Sequence, residues 1–86
     1  MQTAHSPVSG ARLAAQNIGK LLRAARLRQR ASQDEIARLA AISPEMLAQI
    51  EQGNTTTPFG AYVSVLYAVG LGSALAFITD EEDAQP

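Results

Sequence analysis

Helix punctuation recurs so closely along the middle of this chain that it leaves room only for short helices. Ser32-Gln33-Asp34-Glu35 is a capping box, in which the Ser32 hydroxyl accepts from the Glu35 amide while the Glu35 carboxylate reaches back. Ser43 then offers a second N-cap, and Pro44 suits the first helical position, where its missing N–H costs nothing. Gly53 is a natural stop, Thr57-Pro58 repeats the cap-then-proline start, and Gly70-Leu71-Gly72 is a further break. The spacing predicts helices over about Gln33–Ala40, Pro44–Gln52 and Pro58–Val69, with Ala41-Ile42-Ser43 as a tight turn and Asn54 to Thr57 as a polar loop.

Apolar periodicity supplies the rest. Ile18, Leu22 and Ala25 fall at i, i+4 and i+7 and predict a first helix from about Arg12 to Arg30. Ile36, Leu39 and Ala40 are the expected buried face of the second helix, Leu47 and Ile50 that of the third. A short fifth helix is expected over Ser73 to Ile78. With 86 residues there is room for one modest core. The expected fold is all-α, a compact five-helix domain over residues 12–79, with a mobile N-terminal arm at 1–11 and an acidic tail at 80–86.

Charge is distributed unevenly. The net charge is −1, yet all seven basic residues lie between Arg12 and Arg38, and four of the eight acids are Asp80, Glu81, Glu82 and Asp83. Without that tail, seven bases face four acids, a balance that suits an anionic partner such as duplex DNA. Charge alone reads first as a solvated basic helix with a solubilising tail.

Two short helices joined by a tight turn, the second capped and presenting polar residues outward, match a helix-turn-helix arrangement, although any helical bundle contains capped short helices. An α-helix fits the major groove and meets base edges there, and free N–H groups at helix starts can hold phosphates.

The segment IGKLLRAARLRQRASQDEIARLAAISPEMLAQIEQGN, followed by LYAVGL, resembles the Xre family of lambda-repressor-like helix-turn-helix domains. Its most specific pieces are Arg26 with Ser32-Gln33, and Ile50-Glu51-Gln52-Gly53. The resemblance implies that Gln33 grips a phosphate and braces the recognition helix, and that Ser43 is the cap facing the DNA backbone. It implies that Pro44, Glu45, Met46 and Gln49 read bases, Gln49 through an amide able to pair with adenine N6 and N7. It places Asn54, Thr55 and Thr56 against phosphate, and makes Arg26 and Glu51 a structural ion pair. The chain departs from the family in three places. Its recognition helix opens Pro-Glu-Met, Ala41 stands where the family prefers glycine, and no Lys or Arg follows Arg38.

From Gln52 to Thr79 there is no charged residue. Phe59 to Ile78 approaches the length and apolarity of a membrane span, but the Thr57-Pro58 start and the glycine break favour two helices with apolar outer faces. Such faces suggest a partner surface, and a homodimer is expected, with Val63, Tyr67, Ala74 and Phe77 near its two-fold axis. The expected function is a sequence-specific DNA-binding repressor in the cytoplasm. An antitoxin of a toxin–antitoxin pair and a protein-interaction adaptor without DNA binding are the alternatives. Enzyme chemistry is not expected: His5 is the lone histidine, cysteine is absent, and no nucleophile set or phosphate-binding glycine loop occurs. No cofactor, metal, membrane span or signal peptide is expected either.

Overall fold

Ser6 and Pro7 start the first helix well ahead of the expected Arg12. The Ser6 side chain accepts from the Ser9 amide, and Pro7 occupies the first turn, the same cap-and-proline signal that opens the helix at Pro44. The computed structural model describes residues 6–75. They comprise α1 (Pro7–Arg28), α2 (Gln33–Ala40), α3 (Pro44–Glu51), α4 (Phe59–Ala68) and a 3-10 turn, Gly72–Leu75. The expected fifth helix is thus, within the described residues, one 3-10 turn beginning at Gly72, and its remainder lies outside them, as do residues 1–5 of the expected arm and the acidic tail. The described part is four α-helices rather than five.

One face of each helix meets a single core. Leu22 and Ala25 come from α1, Ile36, Ala37 and Ala40 from α2, Leu47 and Ile50 from α3, and Tyr62 and Val65 from α4, with Val69 beyond it. Five of these side chains, Leu22, Ile36, Leu47, Ile50 and Val65, are fully buried, each worth roughly 1.5–3 kcal/mol of apolar burial. Two expected core residues are outside. Ile18 is 39% exposed and Leu39 is 70% exposed.

The reason at Ile18 is a close approach next to it. A Cβ built on Gly19 would lie 2.5 Å from the Ile50 carbonyl oxygen and 2.7 Å from that of Glu51. Backbone meets backbone where α1 crosses α3, so the buried face of α1 runs through Gly19, Leu22, Ala25 and Arg26 and turns Ile18 to its flank. In α2 the buried set is Ile36, Ala37 and Ala40. The small residue Ala37 takes the place next to the core and rotates Leu39 outward.

The start of α4 also differs from expectation. Pro58, not Thr57, is the N-cap, and no side chain caps the helix. Thr57 is buried, and its hydroxyl oxygen has no hydrogen-bond partner among the described residues. The shift by one residue makes Phe59 the first helical residue and leaves it 79% exposed.

All four helices close on the same pair of backbone bonds around one left-handed residue. The amides of Ala31, Ile42, Asn54 and Leu71 reach back to the carbonyls of Arg26, Ala37, Gln49 and Leu66, the six-to-one bond of a Schellman ending. The left-handed residues are Arg30 (φ 57°), Ala41 (φ 59°), Gly53 (φ 82°) and Gly70 (φ 85°). At Ala41 the Cβ strains the turn between α2 and α3, at about 1–2 kcal/mol for an L-residue in this region. Ala41→Gly should relieve it, offset by about 0.4–1 kcal/mol for the freer unfolded chain. The expected net gain is about 0.5–1 kcal/mol in urea unfolding, with unchanged helix content by circular dichroism.

Candidate nucleic-acid interface

The sequence dictates which side of α3 is free. Leu47, Ile50 and Glu51 are buried, so at helical spacing the outward face carries Glu45 and Gln49, one turn apart. Both are exposed, as is Pro44 at the start of the helix. Met46 is half-buried against the core, so it lies at the edge of that face rather than on it. Gln52, the C-cap, continues the helical turn at φ −89° and is exposed. It extends the row to Glu45, Gln49 and Gln52. The sequence reading missed Gln52 by treating it as the end of the helix, although its i, i+4, i+7 spacing was visible.

Ser43 caps α3, accepting from the Met46 amide at 3.1 Å. Ser32 does the same for α2, accepting from the Glu35 amide at 3.0 Å, while the Ser32 amide donates to the Glu35 carboxylate at 2.7 Å. Ser43 and Ser32 are both exposed.

Behind the face, a buried polar cluster fixes the angle of α3. Arg26 donates to Glu51 twice, Nε to Oε2 at 2.6 Å and Nη2 to Oε1 at 3.0 Å. Its Nη1 donates to the Ala31 carbonyl at 2.9 Å, and Gln33 Nε2 donates to Glu51 Oε1 at 3.0 Å. One guanidinium and one carboxylate therefore tie α1, the α1–α2 link, the start of α2 and the end of α3. The Glu51 carboxylate raises the Arg26 pKa above its ordinary value, chiefly through the hydrogen bonds, against the opposing effect of burial. Gln33 uses one amide hydrogen on Glu51; the second remains a donor.

The loop after α3 folds on itself. Asn54 Oδ1 accepts from both the amide of Thr56 (2.7 Å) and its hydroxyl (2.6 Å). The Tyr62 hydroxyl donates to the Asn54 carbonyl at 2.6 Å, and burial pushes the Tyr62 pKa up. Thr56 thus has both its donors engaged internally, which leaves Thr55, exposed, with its hydroxyl on the surface. Among the described residues no cluster of histidine, cysteine or carboxylate side chains could hold a metal ion. No helix among them is long and apolar enough to cross a membrane.

The cluster and the cap make two measurable expectations. Arg26→Met strands a buried carboxylate and should cost about 3–5 kcal/mol in chemical unfolding, while the double variant R26M/E51M should recover most of that loss. For Glu35, the Ser32 amide, and then the Ser32 hydroxyl, hold the carboxyl below its ordinary value. A depressed folded-state value stabilises the fold fully above the ordinary glutamate pKa, and this is lost as pH falls through the depressed one. A carbon-detected NMR titration should find Glu35 titrating below a free glutamate, and Ser32→Ala should return it towards normal.

The geometry is that of two capped helices, α2 and α3, held at a fixed angle by a three-residue turn and a buried ion pair, with a polar row facing out. Neither a curated protein nor a solved structure matches the chain. A family model described as a helix-turn-helix domain matches residues 17–76, from the middle of α1 through the 3-10 turn. The chain belongs to the helix-turn-helix domain family.

Proposed function

We propose that this chain is a sequence-specific, duplex-DNA-binding transcriptional repressor of the Xre, lambda-repressor-like type, acting in the cytoplasm as a homodimer without enzymatic activity. The observation that carries the reading is the outward row of α3, Glu45, Gln49 and Gln52, on a helix braced from behind by Arg26, Glu51 and Gln33. A helix so held can enter the major groove as a rigid body. Gln49 offers a donor and an acceptor to adenine N6 and N7, and Glu45 accepts from cytosine N4. Gln33 and Ser43, at the starts of α2 and α3, and the Asn54–Thr56 loop flank the row and are the phosphate-facing positions. Pro44 sets the start of α3 without contributing a donor, and Met46 wedges the row against the core.

Repression follows from occupying the site. A dimer places two recognition helices about 34 Å apart, one duplex turn, and its two-fold axis falls near Val63, Tyr67, Ala74 and Phe77. Of these, Tyr67 and Ala74 are exposed and Val63 is half-buried, while Phe77 lies outside the described residues. An antitoxin reading is favoured by the apolar exposure of Leu39, Phe59 and Tyr67, and a stoichiometric second protein from a native purification would establish it.

Selection of bound duplexes from a random pool should return paired half-sites one turn apart. Recovery of no enriched sequence at low salt would leave only the adaptor. Gln49→Ala should cost roughly 1–3 kcal/mol at one base pair per half-site with folding unchanged. Glu45→Ala separates two roles. Loss of preference at one position means that Glu45 reads cytosine; tighter binding to every duplex means that it only repels phosphate.

A further inference from the structure

The loop after α3 is neutral, since no Lys or Arg follows Arg38. A cationic side chain can reach a phosphate even from a slack loop, because it is a point charge on a flexible stem. A hydroxyl or an amide cannot. It must lie within about 3 Å of the phosphate oxygen and point at it, so a neutral loop binds only as well as its shape is held. We infer that Tyr62 holds that shape: it is a positioning residue in the core that sets how strongly the Asn54–Thr56 loop engages the phosphate of any duplex. The inference rests on the DNA-binding reading above and adds to it a residue that does not touch DNA.

Three anchors fix the loop. At its start, Gly53 is buried against the backbone of α1, where an added Cβ would lie 2.6 Å from the Gln16 Cα. At its end, Thr57 is buried, and its hydroxyl goes without a partner among the described residues. Between them the Asn54 carbonyl accepts from the Tyr62 hydroxyl at 2.6 Å. Thr55 and Thr56 form the exposed tip.

The Tyr62 bond acts on the residue about which the tip turns. Asn54 Oδ1 accepts from the Thr56 amide at 2.7 Å and from its hydroxyl at 2.6 Å, an Asx turn that closes over Thr55. Fixing Asn54 therefore fixes the direction of the Thr55 hydroxyl, and with Oδ1 turned inward the Asn54 Nδ2 is turned to the opposite side. The helix that carries Tyr62 is itself held. Val65, one turn on, is fully buried, and Gln29 Nε2 at the end of α1 donates to the Val69 carbonyl at 2.6 Å. Phenylalanine would fill the same core space without burying a hydroxyl, so apolar packing does not call for tyrosine here. The bond to Asn54 does.

Tyr62→Phe removes that hydroxyl alone. Affinity of the full chain for the duplex enriched from the random pool and for an arbitrary duplex should fall by the same factor, about fivefold for each bound subunit, the scale of one neutral hydrogen bond. Base preference should not change. Nor should the slope of log affinity on log salt, because no cation is withdrawn from a phosphate. Two further measurements separate positioning from stability. Val65→Ala should lower the melting temperature at least as much, yet bind DNA normally at a temperature where it is folded. In a scan of duplexes carrying one neutral methylphosphonate each, the unmodified chain and Y62F should bind alike when the modification sits at the phosphate that the loop meets, and should differ when it sits elsewhere. Equal binding by Y62F on unmodified duplex, a loss confined to particular bases, the same loss in V65A, or a difference that survives every methylphosphonate would each overturn the inference. An unmodified chain that binds no duplex overturns the DNA reading itself, whereas one that binds no better than Y62F overturns this inference alone.

Discussion

The rest of the structure depends on the buried contact between Arg26 and Glu51. Apolar packing holds helices together but does not by itself fix the angle between them, because side chains of similar volume repack. The guanidinium fork does fix it, since two parallel bonds to one carboxylate admit a single geometry. It also reaches the Ala31 carbonyl, and Gln33 completes the carboxylate shell. Buried charges are costly unless every lone pair and proton has a partner. Here that requirement couples the exit of α1, the entry of α2 and the end of α3, which are the three points that aim the outward face of α3.

The helix ends serve the same aim by a different route. Each helix closes through the same six-to-one backbone bond, so each connection is short and turns the chain sharply. Two of the four left-handed residues are glycines, and two, Arg30 and Ala41, are not. The strained pair flanks α2, the helix lying between the ion-pair cluster and the turn into α3. The angle of α2 is thus held by packing and by the Arg26 cluster against turns that glycine would have made easier.

Capped helices were legible in the sequence because capping is local chemistry: Ser32 with Glu35, Ser43 with Pro44, and Gly53 are short-range signals, whereas at Thr57-Pro58 the burial of Thr57 overrides the same signal. Ser6-Pro7 carried the same signal but sat in a stretch without apolar periodicity, so the start of α1 was placed late. Ile18 and Leu39 were placed in the core because periodicity counts apolar residues without knowing where a neighbouring backbone will pass. Gly19 admits the close approach and Ala37 is the small residue buried in place of Leu39, and a pattern of large residues does not reveal either. At the candidate interface, helical spacing located Glu45 and Gln49. The turning inward of Met46 and the internal pairing of Thr56 with Asn54 depend on contacts that no one-dimensional pattern carries.

Electrostatics then decide what kind of recognition this face can perform. Between Ala31 and Leu75 the only cation is Arg38. Of the acids in that span, Glu51 is neutralised by Arg26 and Glu35 is held by the Ser32 cap, which leaves Asp34 and Glu45 facing solvent. Non-specific affinity for DNA comes almost entirely from phosphates neutralised by Lys and Arg. A helix-turn-helix unit with so little positive charge gains little from an arbitrary duplex, and Glu45 on the outward face of α3 lowers that background further. In the proposed reading, its binding comes from hydrogen bonds that only a matching sequence satisfies. Because biological discrimination is the ratio of specific to non-specific binding, a weak background raises specificity even where absolute affinity is modest. In the proposed homodimer, engaging two such faces multiplies the matched interaction.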